Sequence, residues 1–191
     1  MKELKGTKTL NNLMAAFAGE SQARNRYTYY TSIAKKEGYV EISKIFEETA
    51  NHEKEHAKRL FKFLKESGVD VEITGTFPTV MSSTADNLKS SAEGENHEWS
   101  EMYPTFSKEA QDEGFSEIAA VFKSIAVAEK YHEERYKKFL DRIEKNSVFT
   151  DEASVTWKCQ NCGYVHDGKG APEKCPACAH PQAHFARLCC L

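Results

Sequence analysis

Apolar residues along positions 1–146 recur with the alternating three- and four-residue spacing of helices packed in a bundle. One series runs from Ile118 to Ile143, and a second with the same spacing runs from Ile42 to Phe63. This spacing places side chains along one helical face. The pattern predicts two long amphipathic helices, whose inward positions are Ile118, Phe122, Ile125, Glu129, His132, Tyr136, Phe139 and Ile143, and Ile42, Phe46, Thr49, Glu53, His56, Leu60 and Phe63.

The same stretch repeats itself. Residues 38–64 resemble residues 114–140 at an offset of 76. Each half therefore predicts two helices joined at a glycine, Gly38 or Gly114, and two such hairpins make a four-helix bundle. A polar, proline-containing connection at about 67–80 joins the halves. If the second and third helices are parallel, this connection must run the length of the bundle.

Both apolar series are interrupted once, by a Glu-x-x-His motif. The motifs are Glu53 with His56 and Glu129 with His132. Residues three apart share a helical face, so each pair points at one place. A carboxylate in a bundle core is costly unless it is paired or binds a metal. A solvated surface position is the alternative, but two copies at matching repeat positions favour metal binding.

The first and third helices supply further carboxylates. Glu20 follows Gly19, and Glu95 follows Gly94, at an offset of 75. One glutamate from each of two helices, with Glu-x-x-His from the other two, is typical of a di-metal carboxylate centre. Oxygen ligands with imidazole suit iron or manganese. The predicted ligands are Glu20, Glu53, His56, Glu95, Glu98, Glu129 and His132, with Glu98 also able to face water.

Two tyrosines and one change of repeat offset add detail to this centre. Tyr27 lies seven residues after Glu20, whereas Tyr103 lies eight after Glu95. The extra residue predicts a π-bulge within 95–103, which would help Glu95 and Glu98 reach the metals. Each buried phenol is expected to donate to a ligating carboxylate, ordinary core packing being the alternative. Two further histidines, His52 and His97, are interpreted as surface residues or neighbours of the ligands.

The chain after residue 150 has a different amino-acid composition, rich in Cys, Gly, Pro and His. Two Cys-x-x-Cys pairs, Cys159 with Cys162 and Cys175 with Cys178, predict a closed tetrahedral four-thiolate metal site. Spacing alone leaves zinc and iron open. We expect the metal to hold this small domain folded. Three histidines, His166, His180 and His184, are interpreted as non-ligands, and Cys189 and Cys190 have no assigned role.

Charge and composition exclude several classes of partner. The net charge is −3 and the isoelectric point about 6.2, which gives no electrostatic basis for binding nucleic acid or anionic membranes. The first residues lack the apolar segment of a secretory signal, and no stretch approaches the roughly 18 apolar residues of a membrane span. Paired cysteines used for metal binding fit a reducing compartment, so we expect a cytoplasmic protein.

Taken together, these motifs resemble the rubrerythrin family over essentially the whole chain. The resemblance rests on Ala18–Tyr27 (AGESQARNRY), the two Glu-x-x-His motifs, Glu95-x-x-Glu98 and the two cysteine pairs. It implies a mostly α protein: a ferritin-like four-helix bundle over 1–146, a linker at 147–153 and a rubredoxin-like domain over 154–191. It also implies two irons in the bundle and one at the four cysteines.

The resemblance carries functional expectations as well. It implies a non-haem di-iron peroxidase that reduces hydrogen peroxide to water, with electrons relayed through the four-cysteine iron. The donor is expected to be a rubredoxin or a pyridine-nucleotide-dependent reductase, and the assembly a head-to-tail homodimer. It further implies that His56 and Glu98 exchange at one iron, with Tyr27 and Tyr103 assisting. The Cys189-Cys190-Leu191 ending departs from the family pattern.

Three other functions share parts of this pattern. A ferritin-like iron oxidase or storage protein uses the same bundle but needs a cage. A di-iron oxidase acts on dioxygen instead of peroxide. An electron-carrier or structural module would hold zinc at the cysteines. Assembly size, oxidant preference and metal content separate these functions.

Overall fold

A computed structural model of the chain describes residues 3–188, so Cys189 and Cys190 lie outside the described residues. Within that range a helical bundle is followed by a small β-sheet domain. The helical elements are α1 (Lys8–Lys36), α2 (Val40–Ser67), α3 (Thr84–His97), a π-helical segment (Glu98–Met102), α4 (Tyr103–Asp112) and α5 (Ser116–Glu144). Helices α3 and α4, with the π-helical segment between them, form the third rod of a four-helix bundle.

Glycines mark the hairpin turns where the repeat predicts them. Gly38, between α1 and α2, has φ +87°, and Gly114, between α4 and α5, has φ +83°. This left-handed conformation is one that glycine adopts without steric cost. At the other end of α1, the Thr7 hydroxyl accepts a hydrogen bond of 3.1 Å from the Leu10 amide and caps the helix. The predicted pair of helical hairpins is therefore present.

The connection between α2 and α3 runs the length of the bundle. At its start, Val69 and Val71 pack against the apolar cluster that contains Leu10. At its end, the Thr84 amide donates a hydrogen bond of 3.0 Å to Glu37, just after α1. Because α3 begins beside the end of α1, as α2 does, α2 and α3 are parallel. This is the crossing connection expected from the sequence.

The bundle core consists of two apolar clusters with a polar layer between them. One cluster contains Leu13 and Phe122, and the other contains Phe46 and Tyr136, all completely buried. Burying each such side chain contributes about 1.5–3 kcal/mol. On every long helix the predicted ligand positions fall between the residues of the two clusters. The apolar packing therefore holds the polar layer in place from both sides.

Three antiparallel strands form the C-terminal domain. They are β1 (Thr150–Cys159), β2 (Val165–Gly170) and β3 (Phe185–Arg187), in the order β2-β1-β3, with a 3₁₀ turn at Gln182–His184. Strand β1 begins inside the stretch 147–153 expected as a linker. A small buried cluster contains Trp157, Cys159, Ala171, Cys175 and Phe185.

Among the described residues, no helix combines the length and apolar character needed to cross a lipid bilayer.

Candidate metal centres

Six side chains from all four rods converge in the polar layer of the bundle. They form two groups of four whose potential ligand atoms lie within 4.8 Å of one another. Glu53 and Glu129 belong to both groups, so two metal positions would be adjacent and share these carboxylates. We refer to the six residues as the di-metal cluster: Glu20, Glu53, His56, Glu95, Glu129 and His132.

The two shared carboxylates each offer one oxygen to each histidine. Glu129 Oε1 lies 2.9 Å from His56 Nδ1, and its Oε2 lies 2.7 Å from His132 Nδ1. Glu53 Oε2 lies 3.0 Å from His56 Nδ1, and its Oε1 lies 3.3 Å from His132 Nδ1. In this arrangement the two carboxylates would hold two metal ions between them, with one imidazole beside each position.

Glu20 and Glu95 complete the two positions from the first and third rods. Glu20 Oε2 lies 3.6 Å from His56 Nδ1, and Glu95 Oε2 lies 3.7 Å from His132 Nδ1. The other oxygen of each is occupied. The Tyr27 hydroxyl donates a hydrogen bond of 2.6 Å to Glu95 Oε1, and the Tyr103 hydroxyl donates to Glu20 Oε1. Each buried phenol thus leaves one carboxylate oxygen turned toward the metal positions.

Several buried cluster atoms fit bound cations because, despite these short contacts, they make no hydrogen bond of good geometry among the described residues. They are Glu53 Oε1, Glu95 Oε2, both Glu129 oxygens and His132 Nδ1. Buried polar atoms without partners are costly. Four glutamates in one water-excluded layer require compensating positive charge, and two divalent cations supply it.

The pKa values of the cluster residues reflect their burial and the closeness of several carboxylates. Burial, followed by the charge of Glu53, raises the pKa of Glu20 to about 7. Burial also raises the pKa of Glu95 well above its usual value. Although burial lowers the pKa of His132, its contacts with Glu129, Glu53 and Glu95 outweigh that effect and raise the pKa to about 12. The metal-free cluster therefore retains protons that metal ions would displace.

Glu98 lies beside the di-metal cluster without being one of its six members. It is the first residue of the π-helical segment, and it belongs to neither group of four. Burial raises the pKa of Glu98 well above its usual value, so a neutral carboxyl is favoured. Gly19 is its neighbour on α1: a Cβ atom placed on Gly19 would lie 4.0 Å from Glu98 Oε1, an ordinary contact distance. The predicted π-bulge is present, whereas ligation by Glu98 stays a prediction.

Glu133, which the sequence analysis missed, fixes the outer side of the π-helical segment. It is buried and accepts hydrogen bonds from Trp99 Nε1 at 2.6 Å and Asn96 Nδ2 at 3.1 Å, and it pairs with Lys137. In the sequence, Glu133 and Lys137 look like an ordinary exposed i,i+4 pair. Only the packing of α3 on α5 reveals the buried role.

His52 connects the cluster to the protein surface. Its Nδ1 lies 3.1 Å from His132 Nε2, and the two rings stack with centroids 5.3 Å apart. Because His132 Nδ1 faces the carboxylates, this contact helps hold the His132 ring in that orientation. The interpretation of His52 as a neighbour of a ligand agrees with this contact. His97, in contrast, is exposed and lies 3.4 Å from Glu101.

The four cysteines form a second, separate metal site. Cys159 and Cys178 have sulfurs 3.8 Å apart, and Cys162 and Cys175 have sulfurs 3.7 Å apart. A tetrahedral site with metal–sulfur bonds of about 2.3 Å requires a sulfur separation of about 3.8 Å. Gly163, at φ +81°, follows the first pair. The group of four contains no histidine, in line with the interpretation of His166, His180 and His184 as non-ligands.

Comparisons with known proteins agree with both sites. Residues 11–140 match the rubrerythrin family model, and residues 157–186 match the rubrerythrin rubredoxin-like domain. The chain belongs to the rubrerythrin family. Rubrerythrin of Nitratidesulfovibrio vulgaris is 58% identical over 189 residues, covering 98% of each chain. Rubrerythrin-1 of Clostridium acetobutylicum is 59% identical over 192 residues, again covering 98% of each.

Solved structures support the fold. A mixed-valence nigerythrin structure has a TM-score of 0.65 at 36% identity, covering 97% of this chain and 92% of nigerythrin. A bacterioferritin from Desulfovibrio desulfuricans has a TM-score of 0.67 at 23% identity, covering 73% and 82%, and shows the bundle fold alone. The predicted fold and cofactors are confirmed: this rubrerythrin-family chain has a di-iron carboxylate site in a ferritin-like bundle and a four-cysteine iron site in a rubredoxin-like domain.

Proposed function

We propose that this chain is a non-haem di-iron peroxidase, an oxidoreductase that reduces hydrogen peroxide to water. The observation that carries the proposal is the pair of carboxylates, Glu53 and Glu129, each shared between two adjacent metal positions. The overall reaction consumes one peroxide, two protons and two electrons and yields two waters. When bound, the two irons supply those two electrons to the O–O bond.

In the reaction, the protein's own side chains position the two metal ions and hold a proton near them. Glu53 and Glu129 set the spacing of the metal positions, and Glu20 and Glu95 turn one oxygen each toward them. Glu98 holds a proton close to the cluster because burial raises its pKa. A neutral carboxyl at this place can donate a proton to a leaving oxygen.

Glu98 and His56 are proposed to exchange as partners of one metal position, as the family resemblance implies. In this structure the His56 imidazole faces Glu20, Glu53 and Glu129, while Glu98 belongs to neither group of potential ligands. In this position Glu98 Oε1 lies beside Gly19. Movement of Glu98 toward the cluster would then accompany movement of His56 away from it.

Electrons are proposed to reach the bundle from the four-cysteine iron, itself reduced by a rubredoxin or a pyridine-nucleotide-dependent reductase. The exposed Cys162 gives that site contact with solvent, as a donor protein requires. We also propose a head-to-tail homodimer, in which one chain's four-cysteine site serves the partner's cluster, and a cytoplasmic location, where thiolates stay reduced.

Substitution of Glu98 tests its role directly. Replacing Glu98 by Ala removes the proton donor and exchangeable carboxylate, so peroxide turnover should fall about 100-fold. The visible spectrum of the four-cysteine iron should be unchanged. Glu101→Ala, an exposed glutamate in the same π-helical segment, is the matched control and should keep full turnover. Equal turnover in both variants would remove Glu98 from the mechanism.

A further inference from the structure

One member of the di-metal cluster contacts solvent far more than the other five. The His56 side chain is 17% exposed, whereas Glu20, Glu53 and His132 are each 2% exposed and Glu95 and Glu129 are at 1% and 0%. A small molecule approaching the cluster from this side would therefore meet His56 first.

A surface cavity of about 400 Å³ lies against this exposed edge. It is formed between α2 and α5, and its lining residues are His56, Arg59, Glu117, Ala120, Val121, Ser124 and Ile125. Ala120 and Ser124 are small, which leaves open space over His56. The larger cleft of about 650 Å³ between the bundle and the C-terminal domain has no cluster residue in its lining.

An ion pair between the two helices forms part of the lining of this cavity. Arg59 on α2 donates a hydrogen bond of 2.7 Å to Glu117 on α5, and the guanidinium also lies over the Phe63 ring at 4.4 Å. The Arg59 and Glu117 side chains are 41% and 73% exposed. A pair this exposed is only weakly stabilising, so its two side chains separate readily.

We propose that this cavity is the channel by which hydrogen peroxide reaches the di-metal cluster. Ala120, Ser124 and the Arg59–Glu117 pair set its size limit. The proposal rests on the peroxidase function and adds a substrate limit: small hydroperoxides enter, and bulky alkyl hydroperoxides do not. The Ser124 hydroxyl donates to the Ala120 carbonyl at 2.9 Å, so it is bonded within its own helix and leaves the space over His56 open.

Filling the channel should slow delivery without changing chemistry. In the full-length, iron-loaded protein, Ser124→Leu places a larger apolar side chain in the lining of the cavity. We expect kcat/KM for hydrogen peroxide to fall at least about 10-fold, with kcat at saturating peroxide nearly unchanged. Ser124→Ala, which keeps the channel open, and Val127→Leu, on the exposed face of α5, are controls that should behave as the unmodified protein.

Widening the channel is an independent test, and it should increase the reaction with a bulky hydroperoxide. Arg59→Ala removes the ion pair and should raise kcat/KM for tert-butyl hydroperoxide relative to hydrogen peroxide by about 10-fold. Glu117→Gln should give a smaller change in the same direction. These variants add no bulk, so they test the channel even if Ser124→Leu fails to fold. An unchanged ratio in Arg59→Ala would overturn the proposal.

A second readout separates this proposal from the peroxidase function. Cobalt(II) uptake by metal-free protein, followed by its visible absorption, should be slower in Ser124→Leu than in Ser124→Ala. If the unmodified protein fails to react with peroxide but uptake is slowed, the function fails and the channel stands. If uptake and kcat/KM are unchanged in Ser124→Leu, yet Gly19→Val beside Glu98 reduces both, access is on the Glu98 side and the channel is wrong.

Discussion

At the scale of single residues, the site depends on how the two oxygens of Glu95 and of Glu20 are used. Glu95 gives one oxygen to the Tyr27 hydroxyl and turns the other toward His132. Glu20 does the same between Tyr103 and His56. The hydrogen bond fixes the rotation of the carboxylate and therefore the oxygen that can bind a metal. Outer contacts of this kind commonly govern metal affinity.

Tyr27→Phe should weaken metal binding at the position beside His132. The change leaves Glu95 Oε1 buried without a donor, which costs about 1–3 kcal/mol. Metal affinity should fall about 10- to 100-fold, measured by titrating metal-free protein with ferrous iron under anaerobic conditions. Tyr29→Phe, at a tyrosine 53% exposed, is the control. Equal affinities in both variants would show that the phenol does not orient Glu95.

The sequence predicts the metal ligands better than the residues that hold the ligand-bearing segments in place. Glu53 and Glu129 are visible because they interrupt an apolar series, and the repeat places Tyr27 and Tyr103 at matching positions. No sequence pattern of this kind distinguishes Glu133, because a glutamate four residues before a lysine is common on helix surfaces. Its burial depends on the approach of Trp99 from another rod. Contacts between distant segments of this kind are not encoded in local periodicity.

At the scale of elements, the π-helical segment is the feature that departs from a regular bundle. Glu98–Met102 adds one residue to the third rod, and the change of repeat offset from 75 to 76 predicted it. The insertion lets Glu95 face the cluster while Tyr103 still reaches Glu20. Hydrogen bonds from Asn96 and Trp99 to Glu133 hold it against α5.

Deleting Ser100 should convert this segment to regular α-helix and disrupt the site. Removal of one residue rotates everything after it by about 100° relative to α3. Tyr103 and Glu95 then cannot both face the cluster. We expect helix content by circular dichroism to be nearly unchanged, with bound iron in the bundle reduced to about half or less. Ser100→Ala keeps the chain length and should retain full iron, and the same content in the deletion variant would contradict this role.

At the scale of the whole molecule, two metal sites have different structural importance. The bundle has two apolar clusters to support its fold, whereas the C-terminal domain has one small cluster around Trp157. A domain of that size needs its metal to stay folded. The sequence predicted both sites, but not how the domains meet, since contacts such as the stacking of Tyr39 on Phe149 join segments far apart in the chain.

Cys175→Ser should therefore unfold the C-terminal domain and leave the bundle intact. The three remaining thiolates cannot close the tetrahedral site. We expect the bundle to keep its two irons and a single round of peroxide reaction, while repeated turnover with a protein donor stops. Iron content, thermal melting and turnover measure this outcome. Cys189→Ser is the control, because four thiolates complete the site without it, and loss of iron there would show a different ligand set.

A shared cluster that transfers two electrons to peroxide is tested most directly by re-oxidation of the reduced protein. Fully reduced protein with about three irons per chain should be mixed, in parallel, with equal concentrations of hydrogen peroxide and dioxygen, and followed by visible absorption. We predict re-oxidation much faster with peroxide and two electrons consumed per peroxide. Equal rates with the two oxidants, or zinc at the four cysteines, would contradict the account.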